Sequence, residues 1–153
     1  MDRIKFSEKI TIKCEPTQAF DYTQDYSKRL TWDTFLQKAN IIDGAKKADI
    51  GVKTYCVAKN GIGMETEYVT FNRPKVTAVK MTSDSYIFRS FLGSWTFKET
   101  KNKLTEVVFL YSFQLRFPFN LGAKMMKNIL VKNVKQRLSD LKENIETSIP
   151  KKD

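Results

Sequence analysis

Residues 91–119, FLGSWTFKETKNKLTEVVFLYSFQLRFPF, decide the fold. Side chains alternate across a strand, so Val107, Phe109, Tyr111, Phe113, Leu115 and Phe117 point the same way. Phe91, Gly93, Trp95 and Phe97 share a face of the strand before it, and Lys101-Asn102 supplies the turn between the two. The combined face is large and aromatic, and leaving it in water would be costly. The chain that follows, from Asn120 to about Thr147, repeats Leu130, Val134, Leu138, Leu141 and Ile145 at steps of three or four, one stripe of a helix long enough to cross a sheet. Met125, Met126 and Ile129 widen the apolar surface of its first half toward an adjacent face. Methionine fills irregular space, so this half reads as a lid and the second half as packing. A pocket between sheet and helix is the expectation.

Outward from that stretch, Ile4, Phe6, Ile10, Ile12 and Cys14 share the parity of a first strand, with lysines and Thr11 on the other face. Pro16 suits a helix start, and PTQAFDYTQD forms a short helix. A second short helix is expected over Tyr26 to about Phe35. Strands follow at Leu36 to Asp43, Val52 to Lys59, Met64 to Asn72, Val76 to Thr82, Tyr86 to Thr100 and Lys103 to Phe117. Asn60-Gly61-Ile62-Gly63 is a hairpin signal, and Arg73-Pro74 breaks a run. Short connections favour antiparallel neighbours. The predicted fold is α+β, a helix-grip: a curved antiparallel sheet of about six to seven strands around a long C-terminal helix, with two short helices after the first strand. At 153 residues the chain is read as one domain, 1–153, able to bury a sizeable core.

Composition narrows the function. Apolar residues make up 41% and aromatics 12%, which argues against disorder. Histidine is absent, which removes the commonest general base and the commonest zinc ligand. No metal or cofactor is expected. Cys14 and Cys56 lie far apart, with no metal-like spacing. The N-terminal MDRIKFSEKITIK has no apolar core of a secretory signal, so a cytoplasmic protein with free, inert thiols is expected. The net charge of +10 is mostly lysine interspersed with acids, which reads as a solvated surface. Lys124, Lys132 and Lys135 lie opposite the packing stripe and, with Lys127 and Arg137, leave a helix back that would suit an anionic membrane or an acidic partner. No nucleic-acid motif is present, and the aromatics fall on the inward parity, away from any base.

The segments YSKRLTWDTFLQKANIID (26–43), ETEYVTFNRPKVTAVKMTS (65–83) and FLGSWTFKETKNKLTEVVFLYSFQL (91–115) resemble the SRPBCC superfamily of START-like and Bet v 1-like domains, most closely its polyketide cyclase/dehydrase-like branch. Trp32, Pro74, Gly93, Trp95, Phe97, Thr105 and Val107 sit where that pattern asks, and the likeness runs from about Ile4 to Ile145. The resemblance implies a deep apolar cavity between sheet and last helix. Members bind lipids, sterols, polyketides or other hydrophobic molecules. Some are cyclases, dehydratases or hydrolases, and others act with partners, as in the ubiquinone-binding and chaperone-activator branches. No universal catalytic set comes with the fold, and none is transferred.

The expected partner is therefore a small hydrophobic or amphipathic ligand. Its pocket is predicted from Phe91, Trp95, Phe97, Phe109, Tyr111 and Phe113 on the strands. Met125, Met126 and Ile129 would close it from the helix, with Trp32 at the end of the second short helix. Arg89 shares the parity of Phe91 and is the candidate clamp for a carboxylate, with Tyr111 the second orienting group. Tyr68 and Tyr55 are weaker candidates. Asp33 is read as a turn or cap residue, or as a partner for Arg89. Glu65 and Glu67 share a strand face that is expected to point outward. Without histidine or a clear acid–base pair, binding is favoured over catalysis. A cyclase or dehydratase using Tyr or Asp, and a lipid-delivery or interaction module using the basic helix face, are the alternatives. Oligomeric state is not legible.

Overall fold

A computed structural model describes residues 3–148. Seven strands form one sheet in the order β1-β7-β6-β5-β4-β3-β2, every neighbouring pair antiparallel. Strand β1 is Ile4–Ile12, followed by α1 (Pro16–Gln24) and the single turn α2 (Arg29–Trp32). The meander then runs β2 (Leu36–Ile41), β3 (Lys53–Ala58), β4 (Gly63–Asn72), β5 (Val76–Met81), β6 (Phe88–Glu99) and β7 (Thr105–Leu115). A short 3₁₀ turn, Phe119–Gly122, leads into α3, Ala123–Ser148. The sheet curves around α3 as a helix-grip, as the alternation and the terminal stripe predicted.

The stripe Leu130, Val134, Leu138, Leu141 and Ile145 is buried and packs on β1 and β7, while Lys124, Lys127, Lys132 and Lys135 face out. At the other end, Phe20 of α1 meets Phe71 and Phe97 edge-on, and Trp32 meets Trp95 in the same way at 6.0 Å. Such offset aromatic contacts add to what area burial alone supplies. Glu15 caps α1 reciprocally with Gln18, and Pro16 occupies its first turn.

Three β-bulges shift the register, between Leu36 and Lys38, Tyr68 and Thr70, and Phe88 and Ser90. A bulge places two residues opposite one, so every side chain beyond it changes face. The bulge in β6 corrects the assignment of Arg89. Phe88, not Arg89, takes the inward position before Phe91, and Arg89 is exposed on the outer side. The bulge in β4 keeps Tyr68 and Phe71 inside together, while Glu65 and Glu67 stay on the outer parity, as expected. Two boundaries also move. The second helix is one turn rather than Tyr26 to Phe35, because Asp33 leaves helical dihedrals at φ −87° and ψ 90°. Phe117 lies past the end of β7 and is 70% exposed instead of joining the inward face.

Candidate functional site

The curved sheet and the first half of α3 do not close on each other. Between them lies a cavity of about 310 Å³. Its apolar wall is Phe88 and Phe91 of β6, Trp95 further along the same strand, Phe109 of β7, and Met126 and Ile129 of α3. Phe109 packs against Trp95 at 4.2 Å and Tyr111 at 4.7 Å, so the wall is one continuous aromatic surface. Gly93 stands where a Cβ would meet the Tyr111 ring at 3.2 Å, so the absence of a side chain lets that ring approach β6 closely. Asn60, Ile62 and Ile129 line the cavity and are also exposed, which places its mouth between the β3–β4 turn and α3. Gly61 in that turn holds φ +92°, a conformation glycine adopts without strain.

Seven predicted residues meet here: Phe91, Trp95, Phe109, Tyr111, Met126, Ile129 and the weaker candidate Tyr68. The others do not. Phe113 and Trp32 are fully buried in packing, and Phe97 is held between Phe20 and Trp95. Met125 is 67% exposed on the outer side of the helix, because adjacent helical positions are about 100° apart. Arg89 does not reach the cavity, and Tyr55 is 41% exposed.

The charge in the wall comes from residues the alternation argument did not select. Arg29 and Arg137 both line the cavity, and Asp33 sits behind them with no exposure. Arg137 Nη2 donates to Asp33 Oδ2 at 2.8 Å, and its Nε to Oδ1 at 3.1 Å. Arg29 Nε donates to Oδ2 at 2.9 Å. Asp33 thus joins α2 to the middle of α3, correcting its expected pairing with Arg89. It also accepts a bond from the Phe35 amide at 3.3 Å, the turn role foreseen for it. Burial pushes the Asp33 carboxyl up, but Arg137 and Arg29 outweigh it and hold the group below its ordinary value. Burial disfavours the charge on each guanidinium, and Asp33 more than restores it.

Arg137 lies between the rings of Phe35 and Phe109, and Arg29 between those of Tyr26 and Trp32. Arg137 Nη1 donates to the Tyr111 hydroxyl. Nearby, Tyr68 donates to Gln24 Oε1 at 2.6 Å, and the Tyr26 hydroxyl lies 3.2 Å from that of Tyr68. Burial, then Tyr26, raise the Tyr68 pKa well above its ordinary value, so it stays a neutral donor. Cys56 also lines the cavity. Burial raises its pKa against the pull of Arg29 and Arg137, so its thiol stays protonated. Arg137 was expected on the basic back of α3, but it falls on the apolar stripe, three residues after Val134 and four before Leu141, and is buried.

A curved antiparallel sheet gripping a long helix over an aromatic cavity defines the hydrophobic-ligand-binding helix-grip class. The chain belongs to the polyketide cyclase/dehydrase and lipid transport family, whose model matches residues 3–146. No curated protein matches the sequence. Among solved structures, the chain is similar to the Zhui aromatase/cyclase from Streptomyces sp. R1128, at 13% identity, covering 95% of this chain and 94% of that one, with a TM-score of 0.80. A START superfamily protein from Mycobacterium smegmatis shares 8% identity over 95% and 99% of the two chains, with a TM-score of 0.78. The protein TTHA0849 from Thermus thermophilus shares 14% identity over 96% and 100%, with a TM-score of 0.80. At these identities the likeness is one of fold. Among the described residues no helix is long and apolar enough to cross a membrane, and no cluster of His, Cys, Asp or Glu could hold a metal.

Proposed function

We propose that the protein binds one small hydrophobic or amphipathic molecule in the cavity between sheet and α3, acting as a single domain. The observation that carries this is the aromatic wall of Phe91, Trp95 and Phe109, left uncovered by α3 over a space of about 310 Å³. That volume lies at the small end of the range for ligand pockets, which are mostly apolar with a few polar groups that set orientation. Each Å² of apolar ligand surface removed from water would contribute about 25 cal/mol. Free Cys14 and Cys56 fit a reducing compartment such as the cytoplasm.

Decanol is a suitable neutral probe, titrated by calorimetry into wild type and into Cys56→Phe, whose ring would occupy part of the cavity. Saturable one-to-one binding to wild type, lost or strongly weakened in Cys56→Phe, is the expected result. Binding of neither decanol nor its carboxylate analogue decanoate to wild type, or equal binding to a folded variant, would overturn the proposal.

A further inference from the structure

Resting on the cavity reading above, we infer that the bound molecule is a monoanion whose carboxylate sits against Arg29 and Tyr111. The cluster holds two guanidiniums and one carboxylate, all buried, so it keeps one uncompensated positive charge. Burying an unpaired charge is costly, and structures resolve it with a counter-charge. Asp33 is the one acid that bonds either arginine among the described residues, and it lies behind them. The excess charge therefore faces the cavity, where the aromatic wall would take the apolar body of a ligand.

Arg29 Nη2 and the Tyr111 hydroxyl each keep a hydrogen with no acceptor among the described residues. Arg29 spends Nε on Asp33 and Nη1 on the Thr23 carbonyl, and its Nη2 has no partner among the described residues. The rings of Tyr26 and Trp32 occupy the neighbourhood of the guanidinium at 5.7 and 5.0 Å, so its free edge is the part left for a ligand. The Tyr111 hydroxyl accepts from Arg137, which has no lone pair to accept in return, so its own hydrogen remains to be given. Arg137 gives one N–H from each of its three nitrogens to Asp33 and Tyr111 and serves to aim them. A residual charge of one matches a carboxylate better than a phosphate dianion.

The test compares decanoate with decanol on the full chain at neutral pH and constant ionic strength, by calorimetry. Decanoate is expected to bind at least about tenfold more tightly, the return on charge-assisted bonds to a prepared donor pair. Arg29→Gln should bring the two affinities together, and Tyr111→Phe should weaken decanoate several-fold. If both ligands bind wild type equally, or decanol binds more tightly, the anionic head is wrong while the cavity reading stands. If neither binds, both fall. A decanoate preference that survives in folded Arg29→Gln would place the anion elsewhere, among surface lysines, and overturn the assignment. If Arg29→Gln does not fold, Tyr111→Phe decides: an unchanged decanoate affinity there would overturn the assignment.

Discussion

Asp33→Ala is the perturbation with the largest expected consequence for stability. The carboxylate accepts from Arg137 Nη2 at 2.8 Å, Arg137 Nε at 3.1 Å, Arg29 Nε at 2.9 Å and the Phe35 amide at 3.3 Å. Removing it leaves two buried guanidiniums with no counter-charge, a class of change that costs about 3–5 kcal/mol. That is a large part of the roughly 5–15 kcal/mol by which domains are stable. Urea unfolding followed by circular dichroism reads it directly, as a fall in midpoint at unchanged slope. The triple change Arg29→Met, Asp33→Leu, Arg137→Met should cost less than Asp33→Ala alone, because apolar replacements leave no orphaned charge. The pH dependence has a definite sign. The folded Asp33 carboxyl is held below its ordinary value, so its contribution is complete above about pH 4, the unfolded range, and is lost as pH falls through the folded pKa. Wild type should therefore lose stability in acid more steeply than Asp33→Ala. A loss below about 1 kcal/mol, or parallel acid profiles, would refute Asp33 as the hub joining α2 to α3.

Two further outcomes follow from the geometry. Cys56 lines the cavity and Cys14 is buried away from it, so saturating decanol should slow alkylation of Cys56 by N-ethylmaleimide and leave Cys14 unchanged, as read by peptide mass spectrometry. Leu141 is fully buried on the packing half of α3 and does not line the cavity, so Leu141→Ala should lower stability by about 2–5 kcal/mol in urea.

The helix-grip was legible because its signals are local and periodic. The parity of β1 and β7, the five-residue stripe of α3 and the Asn60-Gly61 turn each need only a window of sequence, and all recur in the structure. The site was half legible. Phe91, Trp95, Phe109 and Tyr111 follow from parity, but parity fails across an inserted residue. The bulge between Phe88 and Ser90 is why Arg89 points out and Phe88 in. Met125 and Met126 have equal hydrophobicity, and only the packed angle of α3 separates an exposed side chain from a lining one. The Asp33–Arg137 pair joins residues far apart in sequence, and no local pattern specifies such a contact. Arg137 stands inside the apolar stripe, and grouping it with the lysines of the helix back missed that position.

Native mass spectrometry of the full chain, incubated with a hydrophobic metabolite extract, reads directly whether the cavity holds a ligand. Wild type should carry a one-to-one adduct of a molecule with an apolar body, absent or much reduced in folded Cys56→Phe. A clean unliganded mass in wild type, or the same adducts at the same occupancy in both proteins, would contradict it.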